Sequence, residues 1–400
     1  MKILLASTYF HPHCVGGAEP YTLELSGELV RRGHGVAVLS TLPGSLRALR
    51  LSTEESGGVR IHRFFPANLY STWSRRRHWL PAKAVWRALS FWNPHAFLAA
   101  RAVLRRERPD LVHVHNVGSL SFALHSAARG LGIPVLHTVH STELLCFRTT
   151  MIRPSGELCC RPRRLCRAWA RASEHFLRRA RCVISPSQAL LDVYSAHGMF
   201  AGVERAVLPF GIRVPERRPR RRGAARNFLC MGTLSPQKGF GDAVRAFRRL
   251  ELPDARLTVA GQGPLLEQLR AEAAGDARIA FPGFVGGDAK QELIERADVL
   301  LVPSICHENS PMVVHEAFAR GVPAIGSRIG GIPELVLEGR TGMLFAPGDI
   351  DGLAAMMAGL TQADGALERL SAGALGFARE RTWDRHMDAL LAIYDRHRRK

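Results

Sequence analysis

Apolar and polar positions alternate along this chain in a repeated two-beat pattern. Short apolar runs of four to six residues are followed by longer stretches with helical spacing. In the first half the runs are Lys2–Ser7, Val36–Ser40, Val59–Arg63, Leu111–His115, Val135–Thr138, Cys182–Ser185 and Ala206–Pro209. Strands alternating with helices are the signature of a parallel sheet covered on both faces. A helix after Gly17 is expected to run to about Arg32 and stop at Gly33, a good C-terminal signal. The alternation lapses in the Arg-rich stretch Arg213–Arg226, which contains Pro215 and Pro219 and reads as a linker. It restarts at Phe228, and Trp383–Arg398 has the spacing of an amphipathic terminal helix. The expected organisation is a first domain over 1–212, a linker over 213–226, a second domain over 227–382, and a helix over 383–400. Ligands of such sheets sit at the C-terminal ends of the strands.

The loops at those ends carry the chemistry. Asp298–Pro303 reads as a strand, and Glu308-Asn309-Ser310-Pro311-Met312-Val313-Val314-His315-Glu316 follows it into a helix expected to reach Arg320. Asn309 or Ser310 suits the helix cap and Pro311 its first turn. A helix start offers unpaired N–H groups and a positive dipole end to an anion. Glu308 before the helix and Glu316 inside it place two carboxylates around that point. As isolated features they would be ordinary: a loop charge and a solvated helix residue. Upstream, the strand Phe228–Met231 leads through Gly232-Thr233 to Lys238-Gly239 and a helix from Phe240. Downstream come Gly261-Gln262-Gly263-Pro264, Gly283-Phe284-Val285, Gly321, Gly330-Gly331 and Gly342.

This ordered set resembles the donor-binding half of the retaining group 1 glycosyltransferases, whose E-x7-E element Glu308 and Glu316 match. The resemblance covers nearly the whole chain, more weakly in the first half. It implies the GT-B fold, an α/β architecture of two doubly wound Rossmann-like domains facing a central cleft, with the terminal helix returning to the first domain. It also implies an enzyme that moves a sugar from a nucleotide-sugar donor to a glycan, lipid-linked or small-molecule acceptor, with retention. Lys238 and the helix start at Ser310–Val313 would bind the donor diphosphate, with Gly16 and Gly17 approaching from the first domain. Glu316 would accept from the ribose hydroxyls. Glu308 and His140, which ends the run Pro134–Val139, would contact the donor sugar. Val285 lies in the loop matching the family's base-contacting loop, and Gly232, Thr233, Asn309, Pro311 and Met312 complete the donor site. Thr233 departs from the pattern, because the family usually has an arginine there.

Other features shift this picture less. The chain has 400 residues and a formal net charge of +20. Such a charge fits an anionic partner, nucleic acid on one reading and an anionic membrane face on another; an anionic membrane surface is the expected partner and nucleic acid is not. Nearly all the basic residues are arginine, and the lysines are Lys2, Lys83, Lys238, Lys290 and Lys400. No apolar run reaches the ~20 residues of a spanning helix, so a cytoplasmic protein, peripheral on the inner membrane face, is expected. Trp73, Trp79, Trp86, Phe91 and Trp92 interleave with Arg75, Arg76, Arg77, Lys83 and Arg87. That suits an interfacial helix and equally a helix packed on the sheet. Cys146, Cys159, Cys160 and Cys166 cluster, but their spacing fits no standard zinc pattern. Asp349-Ile350-Asp351 follows Pro347-Gly348 and reads as a helix cap, so no catalytic metal or other cofactor is expected. His113 and His115 read as packed strand residues. Two rival readings remain: a non-enzymatic anionic-polymer binder on a degenerate transferase fold, and a sugar-nucleotide epimerase.

Overall fold

A computed structural model describes residues 1–13, 17–44, 47–70, 79–146, 150–153, 158–159, 162–216, 223–362 and 365–399. Two separate α/β sheets organise the chain. The first contains β1 (Lys2–Ala6), β2 (Gly35–Thr41), β3 (Ser52–Ser56), β4 (Val59–Phe64), β5 (Leu111–Val114), β6 (Val135–Thr138), β7 (Cys182–Ser185) and β8 (Glu204–Val207). Its order is β3-β4-β2-β1-β5-β6-β7-β8. The second contains β9 (Asn227–Met231), β10 (Arg256–Ala260), β11 (Ile279–Gly283), β12 (Val299–Val302), β13 (Ala324–Ser327) and β14 (Gly342–Phe345), ordered β11-β10-β9-β12-β13-β14. The central strands are apolar on both faces because helices cover both sides.

The helices of the first half are α1 (Ala18–Arg31), α2 (Leu80–Phe91), α3 (Pro94–Glu107), α4 (Ala123–Gly130), α5 (Arg164–Leu177) and α6 (Gln188–Ala196). Those of the second are α7 (Phe240–Arg248), α8 (Leu266–Ala273), α9 (Gly287–Arg296), α10 (Met312–Phe318), α11 (Ile332–Leu335), α12 (Ile350–Gly359), α13 (Ala366–Glu380) and α14 (Trp383–His397).

Some elements differ from the sequence expectation. β3 was not anticipated: Ser52-Thr-Glu-Glu-Ser has no apolar residue, and every position is exposed. It forms because Gly57 and Gly58, at φ +58° and +76°, supply the tight turn that folds it antiparallel onto β4. β8 begins two residues before the expected Ala206, at a sheet edge where exposed polar residues still find a ladder partner in β7. α14 follows the second sheet yet packs on the first. Met387, Leu390, Ile393 and Tyr394 bury themselves among Ile3, Leu5, Leu25 and Ile184. His386 Nδ1 donates to the Pro209 carbonyl at 2.7 Å, so its Nε2 accepts from the Tyr21 hydroxyl at 3.0 Å.

The strand order reverses between β1 and β5 and again between β9 and β12. At such switch points adjacent loops diverge to opposite faces and leave a crevice. The loops after β1, β9 and β12 carry Gly17, Lys238 and Glu308.

Candidate active site

Lys238 closes a single helical turn after β9, and Gly239 follows at φ +65°. A Cβ at Gly239 would lie 1.9 Å from the Pro303 carbonyl oxygen, so only glycine lets this loop seat on the end of β12. The seating brings Lys238 Nζ to 2.7 Å from Glu308 Oε1, and Ser304 Oγ donates to the same oxygen at 2.8 Å. Gly331 N donates to the Glu308 carbonyl at 2.7 Å, which fixes the turn that presents the carboxylate. Burial alone would lower the Lys238 pKa, but the Glu308 carboxylate outweighs it and holds the ammonium above its ordinary value. The pair is partly buried, and its members lie 70 residues apart in sequence.

Glu316 sits one turn into α10 and pairs with Lys290 of α9, Nζ to Oε1 at 2.6 Å. Its Oε2 is buried and has no partner among the described residues. Sequence reasoning missed Lys290; its one signal was that so few lysines occur in an arginine-rich chain. α10 itself is shorter than expected and ends at Phe318, not Arg320. Neither Asn309 nor Ser310 caps it. Pro311 occupies the cap position, and the helix begins at Met312 and Val313. Ser310 Oγ instead bonds His315 Nε2 at 2.7 Å. Asn309 reaches across to the first domain: its Oδ1 accepts from Ser187 Oγ at 2.6 Å, and its Nδ2 donates to the Val139 carbonyl at 3.3 Å. Both side chains are buried and spent elsewhere, Asn309 across the domains and Ser310 on His315 of its own helix, so neither is left to cap α10.

The first domain meets this site closely. Gly17 precedes α1, and a Cβ there would lie 3.3 Å from Met312 Cγ. Gly16 lies outside the described residues. His140 ends the loop from β6; its carbonyl accepts from Asn309 Nδ2 at 3.4 Å, and its Nε2 lies 3.3 Å from His115 Nδ1. Burial holds His140 down to about 3, so its imidazole is neutral at pH 7. His113 and His115 are fully buried, and His113 bonds the Tyr394 hydroxyl at 2.6 Å and Thr138 Oγ1 at 2.7 Å. Thr233 is exposed beside Gly232, whose φ of +151° lets the backbone turn away from β9. Val285 is half-buried against the second domain's core, and its neighbour Phe284 is 72% exposed.

Asp349 accepts from Gly352 N at 2.8 Å and caps α12, while Asp351 pairs with Arg249. Among the described residues, Cys146, Cys159 and Cys166 do not join a group of three converging ligand atoms. Cys160 lies outside them, as do Trp73, Arg75, Arg76 and Arg77. Of the aromatic stretch, Trp86 Nε1 donates to the Tyr70 carbonyl and Phe91 packs on Phe122, whereas Trp79 is 76% exposed.

Residues 15–214 match the profile of Glycosyltransferase Family 4, and residues 225–363 that of Glycosyl transferases group 1. Over 392 residues the chain is 30% identical to a glycogen synthase of Mycobacterium tuberculosis, covering 92% of this chain and 88% of that one. The chain belongs to the group 1 glycosyltransferases. It is equally 30% identical, over 390 residues, to the 2-deoxystreptamine N-acetyl-D-glucosaminyltransferase of Streptomyces fradiae, covering 88% and 86% of the two chains. This glycosyltransferase shares its two-domain GT-B fold with the sucrose-phosphate synthase of Thermosynechococcus elongatus, at a TM-score of 0.78, 20% identity and coverage of 99% and 98%. Anabaena HepE in complex with UDP matches at a TM-score of 0.74 and 17% identity, covering 99% and 100%.

Proposed function

We propose that this glycosyltransferase takes a sugar from a nucleotide-sugar donor held by its second domain and passes it, with retention, to a glycan, lipid-linked or small-molecule acceptor held by its first. The observation that carries the reading is the Lys238–Glu308 pair at a strand-order switch point, with Glu316 one turn into the helix that follows and Gly17 and His140 of the other domain against Met312 and Asn309 at that helix's start.

Breaking the bond from the sugar's anomeric carbon to the diphosphate leaves negative charge on the phosphate oxygens. Groups already aimed at that charge lower the barrier. Lys238 supplies the positive charge, and Glu308 fixes its position in the free enzyme. α10 has seven residues, so its dipole is a minor contributor beside the ammonium. The unpartnered Oε2 of Glu316 is available to accept from ribose hydroxyls while Lys290 holds Oε1. Glu308 is placed to accept from a sugar hydroxyl. A neutral imidazole held at about 3 is a poor base, so His140 suits hydrogen bonding to a hydroxyl and not proton removal. In front-side attack the acceptor oxygen bonds to the anomeric carbon on the face the phosphate leaves, and the departing phosphate oxygen takes the acceptor proton. The reaction as read needs no metal. Thr233, in place of the family's usual arginine, removes one charge from the diphosphate's surroundings and leaves Lys238 to carry more of it.

The relatives named as a glycogen synthase and an N-acetylglucosaminyltransferase, and the UDP-bound neighbour, support a nucleotide-linked donor. A thermal-shift screen against UDP, GDP, ADP and their sugars tests it, since a ligand binding only the native state raises apparent stability by about 2.7 kcal/mol at ~100 times its Kd. A shift with one base, followed by transfer or slow hydrolysis of that donor, is the expected result. No shift with any of them overturns the reading and favours a binding protein.

A further inference from the structure

A groove of about 510 Å³ lies away from the candidate active site, at the opposite end of the first sheet, where β6, β7 and β8 begin. Arg129, Arg178, Arg179 and Arg181 line it, together with His125 and a single carboxylate, Glu204. All four arginines are exposed, and among the described residues none of them makes an ion pair.

Ordinary explanations account for part of this charge. α4 and α5 both end at the groove, and each helix C-terminus presents about half a negative charge, which Arg129 and Arg178 can offset. Glu204 is already matched by Arg396 at 3.0 Å and His397 at 3.1 Å. Glu174, which feels Arg178, accepts from Phe200 N at 3.0 Å. Arg179 and Arg181 therefore stand as excess positive charge on a concave surface. His125 adds a second observation. It is 6% exposed, its Nε2 faces His137 Nδ1 at 3.3 Å, and its Nδ1 has no partner. A buried ring nitrogen without a partner is costly unless a ligand or water satisfies it. The exposed face of α5 continues the charge outward, with Arg164, Arg167, Arg171 and His175 at helical spacing leading to Arg178.

We infer that this groove binds a ligand carrying phosphate groups, a second anion site remote from the donor cleft. Guanidinium forks match phosphate oxygens two at a time, and the volume suits a headgroup-sized ligand. The phosphate belongs to either a soluble phosphorylated metabolite or an anionic lipid headgroup; both present the same chemistry to the arginines. The site does not rest on the reading of the donor cleft.

The test is calorimetric titration of the full chain with inorganic pyrophosphate, comparing wild type with Arg178→Ser/Arg179→Ser/Arg181→Ser. Arg270→Ser/Arg296→Ser/Arg379→Ser, in the second domain, removes the same charge from elsewhere. Wild type is expected to bind pyrophosphate at the groove and at the donor cleft. The groove variant should lose one site or bind it roughly tenfold or more weakly, and the control should keep both. If the donor reading alone fails, wild type shows one site and the groove variant none. Groove and control variants that both bind like wild type, or lose affinity equally, overturn the inference. Vesicles of phosphatidylglycerol and phosphatidylcholine, against phosphatidylcholine alone, identify the source. Vesicle binding lost only in the groove variant assigns a lipid headgroup; unaffected vesicle binding with lost pyrophosphate binding assigns a soluble phosphate. All the substituted side chains are exposed, so unchanged circular dichroism is expected to accompany each result.

Discussion

Acidification should destabilise this protein well above the pH at which ordinary carboxylates protonate. His113, His125, His315 and His386 are buried, at 0%, 6%, 2% and 5% exposure. Burial holds them at about 3, 4, 3 and 4 against an ordinary 6.5. Their folded values are depressed, so the unfolded chain takes up protons first. The stability they contribute is complete above 6.5 and is lost as pH falls toward 4. Between about pH 7.5 and about 5.5 each one costs about 1.3 kcal/mol, from the linkage of proton uptake to unfolding. Four cost about 5 kcal/mol, and His115 and His137, held well below 6.5 by burial, add to the same side. Glu143 opposes them. Burial raises its carboxyl to about 7, so the folded chain protonates it first. That returns about 2 kcal/mol over the same interval. The net loss is therefore about 3 kcal/mol or more, a large part of the ~5–15 kcal/mol typical of a folded domain. Urea unfolding at the two pH values measures it directly. Equal unfolding free energies, within about 1 kcal/mol, would refute the reasoning, as would buried imidazole resonances that titrate in the folded protein over this interval.

Lys238→Ala and Glu316→Ala should each weaken nucleotide binding by about 1–3 kcal/mol, the loss of a charge-assisted hydrogen bond; calorimetry showing unchanged affinity in both would remove them from the donor site. Transfer should survive EDTA, and activity lost to the chelator and restored by manganese or magnesium would reverse that expectation. Asn309→Ala removes the bonds to Ser187 and Val139 across the domains; transfer should fall while affinity for the isolated nucleotide changes little, and an unchanged transfer rate would deny the clamp a role. Tyr394→Phe leaves buried His113 Nδ1 without its 2.6 Å partner and should cost about 1–3 kcal/mol of stability by denaturation.

Much of this was legible in the chain alone. The runs at Lys2–Ser7, Leu111–His115 and Val135–Thr138 overlap β1, β5 and β6 because a strand buried on both faces must be continuously apolar. The helix after Gly17 and its stop at Gly33 are read from local chemistry, and Gly33 has φ +79°. The ordered loops with Lys238, Glu308 and Glu316 also lie within short windows, as does the cap at Asp349. What escaped is whatever depends on residues distant in sequence. β3 has no apolar pattern and exists only because β4 lies beside it. Asn309 satisfies every local rule for a cap, yet Ser187, 122 residues away, claims its side chain. Lys290 is 26 residues from Glu316, and α14 is packed on a sheet whose last strand ends long before it begins. The four groove arginines come from α4 and the loop after α5, and no spacing relates Arg129 to Arg181. Periodicity and turn chemistry are set by neighbours along the chain, so the sequence determined the elements and the order of the donor loops. Partners, burial and the resulting pKa values depend on which elements meet, and only the tertiary structure decided those.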